Sequence, residues 1–211
     1  VDKQVPLAAA VAAAFALDLI WPVLLLLGVE TVRINPGDTA FTALAFDSYP
    51  WSHSLFLVLG WSLVAAFVAR RFLGTWRAAA VIGALVLSHW ILDFVTHRPD
   101  LPIWPGGPLA GLGLWNSVPG TIVVEAGLLA AGLWLYTSAT KRRDHTGRWS
   151  LVALVALTSL IWVTQPWAPL PPSSGAVAWG ALILWLLPPW AVWVEKHRKI
   201  HSGRFSPTSP E

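Results

Sequence analysis

Apolar residues in this chain come in long runs separated by short polar interruptions, and the runs set the elements. A helix crosses the hydrocarbon core of a bilayer with about 20 mostly apolar residues. Six segments reach roughly that length: Leu7 to Leu27, Ser52 to Val68, Ala78 to His97, Gly120 to Thr137, Ser150 to Trp167 and Gly175 to Val194. They are rich in Ala and Leu and lack the period-two alternation of half-buried strands. The pattern predicts an all-α, polytopic membrane helical bundle of about six transmembrane helices. It forms one domain over residues 1–201, and the polar, Pro-containing stretch 202–211 is expected to be a disordered cytoplasmic tail. The first run is too long for a signal peptide and is interrupted by Asp18, so it reads as a retained helix. Two connections on one side, Gly28 to Trp51 and Arg98 to Pro119, are long enough to act as lids or binding loops.

Composition agrees with the pattern. Hydrophobic residues make up 55% of the chain and charged residues 12%, half the roughly 25% of a soluble domain. Mean hydropathy is +0.60. The 15 Trp residues exceed what a core needs. Trp51, Trp76, Trp104, Trp115, Trp149 and Trp167 flank the expected helix ends, where an amphipathic ring suits the interface. There is no Cys, which excludes disulfides and thiolate metal ligands, and the lack of any Met suggests a trimmed N-terminus.

Charge orients the bundle. Apart from Arg33 and Arg98, every Lys and Arg falls on one side of a six-helix arrangement, in clusters at Arg70, Arg71 and Arg77, at Lys141 to Arg148, and at Lys196 to Arg204, with Lys3. Basic loops stay in the cytoplasm, so the topology is expected to be N-in, C-in. That placement accounts for the net charge of +3 without nucleic acid. Neither a Gly-rich phosphate loop nor a G-x-S-x-G motif is present.

Ionisable groups inside membrane helices are costly and mark function. Here they are Asp18, His53, His89, Asp93, His97 and Glu125, all carboxylate or imidazole. This donor set suits a divalent cation such as zinc, or else manganese. His89, Asp93 and His97 recur at i, i+4 and i+8 along one helix face. His89 and His97 then stand about 12 Å apart, too far to share an ion. The expected metal ligands are therefore Asp18, His53, His89 and Asp93. His97 and Glu125 remain as acid/base candidates, with His97 also open as a second-site ligand or a rim residue. All but His89 fall in the outer half of the expected bundle.

The segments L-D-L-I-W-P, P-W-S-H-S-L and S-H-W-I-L-D-F-V-T-H resemble, in that order, the LexA-binding, inner-membrane-associated metal-dependent hydrolases of the YdjM type. G-L-G-L-W-N-S, Gly111 to Ser117, looks like a segment of similar bacterial membrane proteins. The resemblance runs from Asp18 to about Glu125. It implies a bacterial inner-membrane location and carries over Asp18, His53, His89 and Asp93 as family positions. Ser52 stands where the family usually has Thr, and no His precedes Asp18.

Function is expected to be metal-assisted hydrolysis at the extracytoplasmic face, on a lipid or lipid-linked phosphoester. Arg98 would attract an anionic head group, and the loop carrying Trp115 and Asn116 would cover the site. The rivals are proton- or metal-coupled transport and a non-catalytic membrane scaffold. The expected partners are the lipid bilayer and a lipid-type substrate.

Overall fold

A computed structural model of the protein describes residues 5–200. Lys3, His201, Arg204 and the expected tail 202–211 lie outside the described residues. The chain folds as a helical bundle. Five helical stretches are long and apolar enough to cross a membrane, six if one bent pair counts as a single span.

That bent pair is α1 (Leu7–Ala14) and α2 (Ala16–Leu26), which meet at 53°. One helix was expected over Leu7 to Leu27. Pro22 does not cause the bend, since it lies inside α2. The break is at Phe15, where the Ala14 carbonyl accepts from an imidazole instead of continuing the helical ladder. A side chain inserted into the ladder is an established cause of a kink.

The expected second helix is also divided. α3 (Pro50–His53) is one turn opened by Pro50, and α4 (Leu55–Leu73) follows after an extended Ser54. The Ser54 hydroxyl caps α4 by accepting from the Leu57 N–H. α4 ends at Gly74, whose φ of +81° supplies the left-handed residue that reverses the chain. Thr75 then caps α5 (Trp76–Thr96) through the Ala78 N–H. The two helices approach closely at Gly83, where a Cβ would stand 3.2 Å from the Cβ of Ala66. There Ser62 Oγ donates to the Gly83 carbonyl at 2.7 Å.

α6 (Val118–Ala139) is held mainly at its ends, by a short turn at Leu114–Asn116 and by the strand that follows it. α7 (Thr146–Thr164) comes next. The last span joins α8 (Ser174–Ala181), a tighter turn at Leu182–Leu186 and α9 (Leu187–Lys196). α1 packs on α5 and α9, and α2 packs on α8. Leu17, Val58, Ala78, Val86 and Val194 are completely buried.

Short antiparallel ribbons, which the hydropathy pattern does not reveal, close the connections. β1 (Thr31–Ile34) pairs with β2 (Leu44–Ser48), and β3 (Leu101–Pro102) with β4 (Leu109–Ala110). β5 (Thr140–Arg142) pairs with β6 (Arg198–Ile200). The last ribbon ties the ends of α6 and α9 together at the basic end of the bundle. The other two ribbons and α3 lie at the opposite end, with the residues of interest.

Candidate metal centre

Four side chains expected as ligands converge where α2, α3 and α5 meet. The kink at Phe15 sets Asp18 in the first turn of α2. Pro50 starts the turn that carries His53, and α5 supplies His89 and Asp93 from one face. His53 Nε2 stands 3.7 Å from Asp18 Oδ1 and 3.7 Å from Asp93 Oδ2. His89 Nε2 stands 3.6 Å from Asp18 Oδ2 and 3.4 Å from Asp93 Oδ2. Asp18, His53 and His89 each offer an atom within 4.8 Å of the other two. Asp93 joins through the two imidazoles, and its buried Oδ2 has no hydrogen-bond donor.

The far nitrogens of the two rings decide what the near ones can do. His89 Nδ1 lies 2.7 Å from the Ala14 carbonyl, which can only accept, so Nδ1 carries the proton. His53 Nδ1 lies 2.6 Å from Ser52 Oγ, whose own hydrogen points to Glu30 Oε2 at 2.7 Å. Nδ1 of His53 is therefore the donor as well. In the neutral rings both Nε2 atoms then present lone pairs to two carboxylates, so acceptors face acceptors. Protonated rings would be expected to close to N–H···O distances of about 2.7–3.2 Å. The observed gaps are longer. Ligands at about 2.0–2.2 Å around a tetrahedral centre stand about 3.3–3.6 Å apart. The His–Asp gaps approach that spacing, although Asp93 falls outside the set whose atoms all lie within 4.8 Å of one another. The cluster can thus hold a metal ion, and its donor chemistry suits one. Asp18, His53 and His89 are the mutually close set.

Glu30 was not foreseen. It follows α2 in a loop, yet it is only 2% exposed and accepts from both the Ser52 N–H at 2.8 Å and the Ser52 hydroxyl. It acts on the cluster through Ser52 and His53, as outer partners of metal-binding imidazoles commonly do. The one sequence signal for it was the serine directly before His53.

His97 does not join the cluster. It ends α5, with Nδ1 3.0 Å from Asp100 Oδ1 and its ring 4.4 Å from that of Trp115, centroid to centroid. Tyr49 donates to the same Asp100 oxygen at 3.1 Å, and burial beside that carboxylate pushes the Tyr49 hydroxyl well above its ordinary pKa. Asp100, like Glu30, is an addition to the expected set.

Arg98 is not free to attract a head group. Its Nε lies 2.8 Å from Asp38 Oδ2 and 3.2 Å from Asp100 Oδ2. The Asp38 contact is off the hydrogen-bond axis, so it is an ion pair rather than a directed bond. Internal carboxylates therefore absorb the charge.

Glu125 stands apart from the four ligands, on α6. Its Oε1 accepts from Trp115 Nε1 at 3.2 Å. It shares with His89 and Asp93 a cavity of about 480 Å³, also lined by Phe15, Leu92, Val124 and Leu128. Trp115 lines that cavity too. Asn116 closes its own turn, its backbone N–H donating to the Gly113 carbonyl.

Comparison of the chain with protein-family models, with curated proteins and with solved structures finds no match.

Proposed function

We propose that the protein is a membrane-embedded, metal-dependent hydrolase. Its centre faces the extracytoplasmic side of a bacterial inner membrane, and its substrate is a phosphoester of a lipid or lipid-linked molecule. The observation that carries this is the set of two imidazole and two carboxylate acceptors at 3.4–3.7 Å with their lone pairs turned on one another. The motif-level resemblance to the YdjM-type hydrolases supports it, as does the placement of the basic residues at the far end.

Asp18, His53, His89 and Asp93 would hold the ion, zinc by donor set and spacing, with manganese second. Such an ion supplies Lewis-acid polarisation and a more acidic water. The chain's own groups do the rest. The Ala14 carbonyl and the Glu30–Ser52 pair keep both imidazoles in the tautomer that offers Nε2. Glu125, across the cavity, takes the proton as the water oxygen bonds to phosphorus. It returns that proton to the leaving oxygen as the ester bond breaks. Trp115 orients Glu125 through the indole N–H.

Transport needs polar groups that continue toward the other face. Among the described residues the buried ionisable side chains are Glu30, Tyr49, His53, His97 and Asp100, all at the end that holds the cluster, while Glu195 and Arg198 at the other end are only partly buried. A one-sided pocket suits hydrolysis better.

The test is metal analysis of protein purified with chelator washing and reloaded with zinc. Wild type is expected to retain the ion, and the double variant His89→Ala, Asp93→Ala to lose it. Equal metal in the two proteins refutes the proposal. A metal-ion flux assay in proteoliposomes, expected to be silent, separates transport.

A further inference from the structure

The cavity beside the centre has an unusual setting for a water-filled cleft. Its walls are two candidate membrane spans, α5 and α6, its floor is the kink at Ala14 and Phe15, and Trp115 lies at its upper edge. α6 is held at its ends, so its middle stands away from α5 and leaves the gap. Leu92 on one wall and Val124 and Leu128 on the other are 40–52% exposed. In a bilayer that exposure is to hydrocarbon. Water gains nothing by filling the apolar part of a slot that already opens onto acyl chains, away from the polar groups beside the cluster. About 480 Å³ is also within the roughly 300–1,000 Å³ of pockets that enclose small ligands. Its ionisable lining residues are His89 and Asp93, which belong to the cluster, and Glu125 on the facing helix; Ser88 and Thr96 add two hydroxyls.

We infer that this slot is a lateral binding site for one acyl chain of a glycerophospholipid, which enters from the bilayer between α5 and α6. Charge complementarity selects the occupant. The apolar walls take the tail, and the end of the slot at the cation centre takes the phosphate head. The seating of the head group depends on the hydrolase reading, whereas the seating of the tail depends only on the shape and apolarity of the slot. Lateral entry also explains why Arg98 needs no free charge: the substrate arrives through the membrane rather than across the loop.

The probe is a phosphatidylglycerol with a photoreactive diazirine at the end of one acyl chain, doped into phosphatidylethanolamine–phosphatidylglycerol vesicles that contain the full-length protein. Cross-links are mapped by peptide mass spectrometry. Phe15 and Ser88, inside the slot, are expected to label. Leu63 and Phe67, each 73% exposed on α4, report ordinary contact with bulk lipid. The variants Val124→Trp with Leu128→Trp, and separately Leu92→Trp, fill the slot from opposite walls at exposed positions. Each is expected to cut labelling of Phe15 and Ser88 about tenfold while Leu63 and Phe67 label as before. Absence of label at Phe15 and Ser88, or label unchanged by both fillings, overturns the inference. Metal content is measured on the same samples. Metal lost with slot labelling kept refutes the hydrolase reading alone, and slot labelling absent with metal kept refutes the lateral site alone.

Discussion

Removing one oxygen tests whether the Glu30–Ser52–His53 chain serves the ion or merely packs. Ser52 Oγ sits 2.7 Å from Glu30 Oε2 and 2.6 Å from His53 Nδ1. Ser52→Ala deletes both bonds, while the Ser52 backbone N–H still holds Glu30 Oε1. The fold should survive, because alanine fits where serine stood. A hydrogen bond to a charged group is worth about 1.5–3 kcal/mol. His53 Nδ1 then loses the partner that fixes its proton, and only ring contacts with Tyr49 and His89 still orient the imidazole. Loss of such an outer partner weakens metal binding about 10–100-fold, which is about 1.4–2.8 kcal/mol at 1.4 per tenfold. The two figures agree, so most of the lost bond energy should reach the ion. The assay is a zinc titration against a competing chelator in detergent, for wild type, Ser52→Ala, His53→Ala and the double variant. Ser52→Ala is expected to weaken binding at least tenfold in the wild-type background and by less than about threefold once His53 is gone. Equal losses in both backgrounds would refute the relay, as would a loss under twofold in the first.

Glu125→Gln keeps the shape and the bond from Trp115 but cannot take a proton. It is expected to lower phosphoester hydrolysis by about 10²–10⁴-fold with zinc content unchanged, and unchanged turnover would remove Glu125 from the chemistry. Gly111 has φ +152°, and a Cβ there would run into the carbonyls of His97 and Arg98. Gly111→Ala is therefore expected to loosen the 98–117 loop by about 1–3 kcal/mol, read as a lower thermal midpoint in detergent. Arg33 grips Asp47 with two bonds and holds its carboxyl below the ordinary 3.8. A lowered carboxyl binds fewer protons folded than unfolded, so its contribution is complete above about pH 4 and disappears as pH falls through the folded value. Hydrogen exchange in β1–β2 should rise across that window in wild type, and change little there in Asp47→Asn.

Hydropathy located every long span, because in a bilayer the solvent itself demands 20-residue runs. Backbone detail was less legible. The kink at Phe15 has no Pro or Gly to announce it, since its cause is an imidazole more than seventy residues away. Pro22, which does look like a breaker, sits inside an unbroken α2. Asp18, His53, His89 and Asp93 could be picked out because charge inside an apolar run is conspicuous. Glu30 and Asp100 could not, since both lie in polar connections where an acid is unremarkable until the fold buries it. The i, i+8 spacing correctly kept His97 away from His89. What spacing could not show was that Asp100, three residues further on, would take its Nδ1. Arg98 was misjudged for the same reason, since its partners Asp38 and Asp100 come from connections whose course only the folded chain reveals.

The carbonyl that His89 occupies is the one a straight helix would offer to the N–H of Asp18, four residues on. Bend and ligand are therefore a single joint. Taking the ring away invites the first span to zip shut, and zipping shut rotates Asp18 off its target. Mutating His89 should cost two donors at once, so its apparent importance in a ligand-by-ligand comparison will exceed that of any other member of the set.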